Sequence, residues 1–308
     1  MARSSLVACS RCNRLRAGAT GLFCLLLSLV AASVAAADQP ESVLRVCADP
    51  DNLPLSNQRG EGYENKIAEA LASDLGRSVE YTFFPQRMGF VRNTLRARDE
   101  ATQKFKCDVI IGVPKGYELT ATTRPYMRST YALLFADSAA RSGVKSVDDL
   151  LKLPRDQLSA LRIGVFGRSP GSDWLLRHDL LEQAVMYAPQ SGEVSENPAH
   201  IIERDLSGGK IDVAILWGPM AGYLVQRHTA SPPNSNGWRA VPFSPDPQIR
   251  FDYEIAMGVR FGEKQWQGEL DAWIDAHQGR IDEILSSYRV PLLDAGGKVK
   301  QARREIGQ

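Results

Sequence analysis

The chain has 308 residues, 44% of them hydrophobic and 24% charged, and a formal net charge of +1. A balance this close to neutral argues against a nucleic-acid partner. The length suffices for one large core or two lobes.

The first segment addresses the chain for export. Arg3, Arg11, Arg14 and Arg16 form a positive region without acids, followed by the apolar run "GLFCLLLSLVAASVAAA". The run ends in Ala35-Ala36-Ala37, small residues of the kind found at a cleavage site, so residues 1–37 read as a secretory signal peptide. No basic stop-transfer flank follows it and no second long apolar run exists, so no membrane span is expected in the mature chain. A twin-arginine pair is absent, and Cys24 lacks the small residues that precede a lipid-modified cysteine. Cleavage after Ala37 leaves 271 residues and removes four arginines and no acids, which moves the charge from +1 to −3. Cys9, Cys12 and Cys24 leave with the signal. Cys47 and Cys107 remain, either as a disulfide in an oxidising compartment or as two buried thiols.

The mature chain then alternates strand and helix. Leu44 to Ala48 is a short apolar strand that runs into the turn-rich "DPDNLPLSN". Tyr63, Ile67, Leu71 and Leu75 recur every four residues before Gly76, which predicts an amphipathic helix with a stop. "SVEYTFF" alternates as a strand, and residues 90–97 read as a second helix. "CDVIIGV" is a continuous apolar strand of the buried parallel kind. The order implies a doubly wound α/β sheet.

After "TTRPYMRSTYALLF" the pattern restarts. "SVDDLLKL" begins with the cap residue Ser146 and carries acids in its first turn. "LRIGVFG" is a strand, and "SDWLLRHDLLEQA" a helix capped at Ser172 or Asp173. "IIERDLSGG" is a helix ending at Gly208-Gly209, and "KIDVAILWG" a strand. Five prolines between residues 232 and 247 make a regular helix there implausible. "YEIAMGVRF" resumes as a strand, two helical patterns follow, and the polar tail from Gly296 reads as loose.

These residues carry a resemblance. "LRVCADPDNLPLSN", "GEGYENKIAEALASDLGRSVEYTFFP" and "GGKIDVAILWG" resemble the type 2 periplasmic solute-binding proteins of the amino-acid-receptor family. "VCADPDNLPLSN", "FPQRMGFVRNTL", "CDVIIGVPKGYELTATTRPYMRSTY" and "AILWGPMAGY" together resemble a subgroup, the MoxJ and XoxJ accessory proteins of quinoprotein (PQQ) methanol dehydrogenase systems. The resemblance implies two lobes joined by two crossing strands. Lobe I would comprise residues 42–132 and 251–308, and lobe II residues 133–250. The cleft would lie between them, at the carboxyl ends of the parallel strands.

Measured against the amino-acid receptors, both ligand anchors are missing. The arginine that takes the carboxylate is not in its expected place, and Trp217 stands where the ammonium-binding acid should be. Charged ends entering such a cleft would lose water without replacement partners. The resemblance therefore implies a periplasmic, non-catalytic accessory binding protein that assists maturation or activation of a PQQ-dependent methanol or alcohol dehydrogenase. The alternative is a transporter receptor for a small solute other than a standard amino acid. The cleft would take a segment of the dehydrogenase, a peptide or a small molecule. Its expected lining is Asp49, Asp51, Asn52, Leu53, Pro54, Gln86, Arg87, Pro114, Tyr117, Thr123, Arg124, Tyr126, Arg168, Ser169 and Trp217.

No cofactor or metal is expected. Asp49-Pro50-Asp51-Asn52 lacks calcium-loop spacing, because Leu53, Pro54 and Leu55 stand where further oxygens would be needed. The loop Gly167 to Ser172 could present N–H groups to an anion, as most α/β proteins could. His178, His200, His228 and His277 match no nucleophile signature. Only Asp49 and Asp51 would serve a cleft enzyme.

Overall fold

The computed structural model describes residues 42–136, 143–188, 197–229 and 237–300. The predicted signal peptide lies outside them. The first half is built from β1 (Val43–Ala48), a small hairpin of β2 (Asp51–Asn52) and β3 (Ser56–Asn57), α1 (Tyr63–Asp74), β4 (Ser78–Phe83), α2 (Phe90–Asn93) and β5 (Val109–Pro114). Strand β1 runs parallel to both β4 and β5. The second half holds α3 (Val147–Leu151), α4 (Arg155–Ser159), β7 (Ile163–Phe166), α5 (Pro170–Arg177), β8 (Ala184–Tyr187), α6 (Pro198–Ser207), β9 (Val213–Trp217), α7 (Gly218–Thr229) and β10 (Trp238–Pro242). Two long strands, β6 (Ala121–Ala136) and β11 (Asp252–Val259), pair antiparallel, and α8 (Lys264–Ser287) closes the chain back onto the first half.

The strands follow the order β4-β1-β5-β11-β6-β9-β7-β8, with β10 also on β6. Strand β6 makes this possible. Its first ten residues pair with β11, and its last six pair with β9 and β10. Because side chains alternate across a strand, each half gains a core on both faces. Leu44, Ile67, Leu71, Val109, Met257 and Ile274 form one core of the first half, and Cys47, Phe90, Leu95, Cys107 and Ile110 the other. In the second half Leu133, Ile163, Val165, Val213 and Ile215 lie on one face and Leu134, Ile202, Leu216 and Leu224 on the other. This is the expected two-lobed α/β architecture.

Local signals explain most elements. In α1, Tyr63, Ile67 and Leu71 are buried at four-residue spacing, and Gly76 stops the helix at φ +65°, a conformation glycine adopts without strain. Asn65 ties the hairpin to this helix: its Oδ1 accepts from the N–H groups of Asn57 (3.0 Å) and Gly62 (3.1 Å). Cys47 and Cys107 form a disulfide between β1 and the approach to β5, with Cα atoms 5.4 Å apart, which resolves the two alternatives left by the sequence.

Several expectations need correction. The helix expected over 90–97 is α2 alone, because Thr94 turns its hydroxyl back onto the Phe90 carbonyl (2.7 Å) and leaves helical geometry. Helix α5 is capped by Ser169, whose Oγ accepts from Ser172 N. It starts at Pro170, a residue preorganised for the first helical position. It ends at Arg177 because Asp179 takes φ +56°. The residues expected to prolong it form a 3-10 turn and the edge strand β8. The sequence pattern predicts neither helix α7 nor strand β10. The two expected C-terminal helical patterns are both present, joined within α8 by a kink at His277. From Gly296 to Lys300 the tail is held: Leu293 bridges Val299, and Lys300 N donates to the Leu292 carbonyl (2.7 Å). Residues 301–308 lie outside the described residues.

Candidate functional site

Four of the expected cleft residues, Gln86, Arg87, Pro114 and Tyr117, converge on one cavity of about 590 Å3 in the first half. The carboxyl ends of parallel strands β4 and β5 place them there, where ligands of open α/β sheets gather. Strand β4 ends at Phe83 and the chain turns outward through Pro85. Strand β5 ends at Pro114, whose carbonyl accepts from Tyr117 N (3.0 Å) in a tight turn that brings Tyr117 to the cavity lining. Helix α2 supplies Phe90, Val91 and Arg92.

Asp49 holds this wall in place. One carboxylate oxygen accepts from Asp51 N (2.9 Å), and the other accepts from Gln86 N. Asn52 Nδ2 donates to Gln86 Oε1 (3.0 Å). Burial raises the Asp49 carboxyl above the usual carboxylate range, opposed by the two backbone N–H groups that favour its charge. Asp49 and Asn52 therefore stand behind the cavity and position its lining.

Leu53 and Pro54 do not stand open at a rim. They are buried at the tip of the hairpin, joined by a cis peptide bond. Leu53, 7% exposed, packs into the core of the second half with Leu134, Leu216 and Tyr223. Asn197 Nδ2 donates to the Asp51 carbonyl across the same junction (3.2 Å). The hairpin thus bridges the two halves.

Trp217 lies apart from it. The side chains of β9 alternate: Ala214 and Leu216 share the Leu53 core, whereas Val213 and Ile215 face the opposite core. Trp217 has the same strand parity as Val213 and Ile215 but packs against the core of the first half, and it meets Tyr131 edge-on at 5.7 Å and Tyr253 at 5.9 Å. It forms an aromatic cluster with the two crossing strands.

Thr123, Arg124 and Tyr126 do not reach the cavity either. Thr123 is fully buried and its Oγ1 accepts from Met257 N (2.9 Å). Tyr126 is 1% exposed. Arg124 lies on the outer surface against α8, where its N–H donates to Asp271 and its guanidinium pairs with Asp275. In the loop after β7, Arg168 is exposed at φ +57°, and the Ser169 hydroxyl is consumed by capping α5.

The wall has a consistent chemistry. It carries Arg87, Arg92 and Arg96 and no acid, between apolar Phe90, Val91, Val113 and Leu119. Arg96 donates to the Leu119 carbonyl (2.6 Å). Met88 stands 92% exposed. Sequence reasoning missed Met88, Phe90, Arg92, Arg96, Gly112 and Leu119. A signal existed: the stretch from Phe84 to Arg98 holds four arginines and no acid.

Next to this wall lies Glu64, 5% exposed. Burial and the nearby Asp49 push its carboxyl up to about 8, so it is protonated at neutral pH. Nothing around the cavity forms a nucleophile–base pair. Among the described residues no group of three His, Cys, Asp or Glu could hold a metal ion, and no helix is long and apolar enough to cross a membrane. His228 stacks on Trp238 at 3.7 Å and bonds Glu203 (2.8 Å), and His277 stacks on Trp273 at 5.0 Å beside Asp74 (3.4 Å), so both are engaged away from the cavity.

A periplasmic binding protein from Methylobacterium extorquens AM1, XoxJ, is 34% identical in sequence to the chain. The structural match covers 82% of this chain and 99% of XoxJ, with a TM-score of 0.62. The chain belongs to the MoxJ/XoxJ-like periplasmic binding proteins. Within this family, MoxJ of Paracoccus denitrificans is 27% identical over 86% of this chain and 94% of its own length. MoxJ of Methylorubrum extorquens is 29% identical over 84% of each. No protein-family model matches the sequence. The likeness runs through both halves and the crossing strands, so the cavity sits on a shared frame.

Proposed function

We propose that the protein is a periplasmic, non-catalytic accessory binding protein of a PQQ-dependent methanol dehydrogenase system, which assists maturation or activation of the enzyme by holding a segment of it. The observation that carries this reading is the cavity bounded by Gln86, Arg87, Pro114 and Tyr117, apolar and basic, with no acid to seat an ammonium group. Such a wall suits a chain segment better than a free amino acid, whose ammonium would be desolvated without a partner. Residues 1–37 would deliver the chain to the periplasm. Residues 42–132 with 251–308 and residues 133–250 would act as the two lobes, with the Leu53 hairpin between them.

The test is retention of the apo-dehydrogenase of the same organism by the immobilised mature protein. Retention by wild type, with loss by Tyr117→Ala, supports the reading. Failure of wild type to retain the enzyme overturns it. Native mass spectrometry that finds a stoichiometric small solute would move the protein to the solute-receptor class.

A further inference from the structure

The cavity of the first half is one-signed. Arg87, Arg92 and Arg96 line it and no acid does, although the mature chain carries a net charge of −3. A cluster of three cations on an acidic protein raises the local concentration of anionic groups. The apolar surface also extends past the cavity. Met88 is 92% exposed, Leu119 43% and Phe261 60%. Arg96 links these outer residues, since its guanidinium donates to the Leu119 carbonyl and lies over the Phe261 ring at 5.9 Å. A small carboxylate would occupy the cavity and leave Met88 and Phe261 in water. A protein segment would cover them. Met and Arg are enriched at the centres of protein interfaces.

We propose that this surface docks an acidic segment of a partner protein, with one apolar anchor side chain seated between Phe90 and Tyr117 and flanking Asp or Glu side chains meeting Arg92 and Arg96. Arginine suits this task because its planar fork grips a carboxylate with two parallel hydrogen bonds. The proposal rests on the reading of this cavity as the binding site, and it does not depend on which enzyme supplies the segment.

The test uses the mature protein and short fluorescent peptides, read by anisotropy. One peptide has a central Phe flanked by Glu, a second has Lys in place of Glu, and a third has Ser in place of Phe. The first should bind, and at least tenfold tighter than either of the others. Its affinity should fall as salt rises. The double variant Arg92→Glu/Arg96→Glu should weaken it at least tenfold and should gain binding of the Lys peptide. That exchange is a positive signal which a misfolded variant could not give. Equal binding of the Glu and Lys peptides overturns the proposal, as does a double variant that binds the Glu peptide unchanged. Displacement of the Glu peptide by benzoate, with the same arginine dependence, would assign the site to small carboxylates and also overturn it. If the peptides show no charge preference while wild type still retains the dehydrogenase, this inference fails and the functional reading stands. If the peptides behave as expected and the dehydrogenase is not retained, the failure lies with the functional reading.

Discussion

The Glu64 carboxyl occupies the space that a side chain on Gly112 would need. A Cβ built there would overlap Glu64 Oε1 and come within 3.5 Å of Tyr126 Oη. Gly112 also lines the cavity, so the missing side chain lets a helix residue reach the sheet directly behind the binding wall. Among the described residues Tyr126 Oη has no hydrogen-bond partner and no cation acts on Glu64. Both groups are held by packing.

Gly112→Ala should therefore destabilise the fold by about 1–3 kcal/mol, the usual cost of forcing extra volume into a packed core. The backbone at Gly112 is not in the left-handed region, so the effect would report crowding alone. Gly268→Ala provides the contrast: its added Cβ meets nothing within 4 Å and it lies inside α8. Helix propensity predicts a gain of up to about 1 kcal/mol there. Denaturant melts of the two variants should move in opposite directions.

Glu64 should also govern how stability depends on pH. Burial pushes its folded-state carboxyl up to about 8, above the ordinary glutamate value of 4.5, so the folded state holds a proton that the unfolded state releases. The stabilising contribution of that proton is complete below the unfolded value and is lost as pH rises through about 8. Glu64→Gln removes the ionisable group at similar volume. The stability of the variant relative to wild type should rise steadily between pH 5 and pH 8, at about 1.4 kcal/mol per unit or less. Parallel pH profiles for the two proteins would show that Glu64 does not titrate in this range.

Asp49 should act on the cavity through Gln86. Asp49→Ala leaves the N–H groups of Asp51 and Gln86 without their acceptor, at a cost of about 1–3 kcal/mol. Amide hydrogen exchange should then quicken over residues 86–92, while α8 keeps its protection. Asp49→Asn retains one acceptor oxygen and should lie between the two. Uniform quickening across the chain would mean that Asp49 supports the whole fold.

Removing the Cys47–Cys107 bridge releases a loop of 60 residues' separation in the unfolded chain. The loop-entropy relation sets the loss at roughly 4 kcal/mol. The purified mature protein should show no free thiol under denaturing, non-reducing conditions, and reductant should lower its melting temperature. A thiol count of two would contradict the bridge.

The alternation of strand and helix was legible in the sequence, because amphipathic spacing and glycine stops are local. Tyr63, Ile67 and Leu71 fall on one face of α1, and Gly76 ends it, without reference to the rest of the chain. The sequence also placed Gln86, Arg87, Pro114 and Tyr117 together, since loops after parallel strands share one edge of a sheet. Packing, by contrast, seats Leu53 in the core of the second half and turns Trp217 toward the core of the first. Strand alternation gives every second residue to the opposite core, and which face receives the hairpin depends on how two segments more than 150 positions apart cross. Thr123 and Tyr126, at opposite parity in β6, are both buried because the β6–β11 register shifts between them, and no neighbour in the sequence reports it. The cavity wall of Arg92, Arg96 and Leu119 arises likewise, from α2 meeting the turn after β5, a contact fixed by packing.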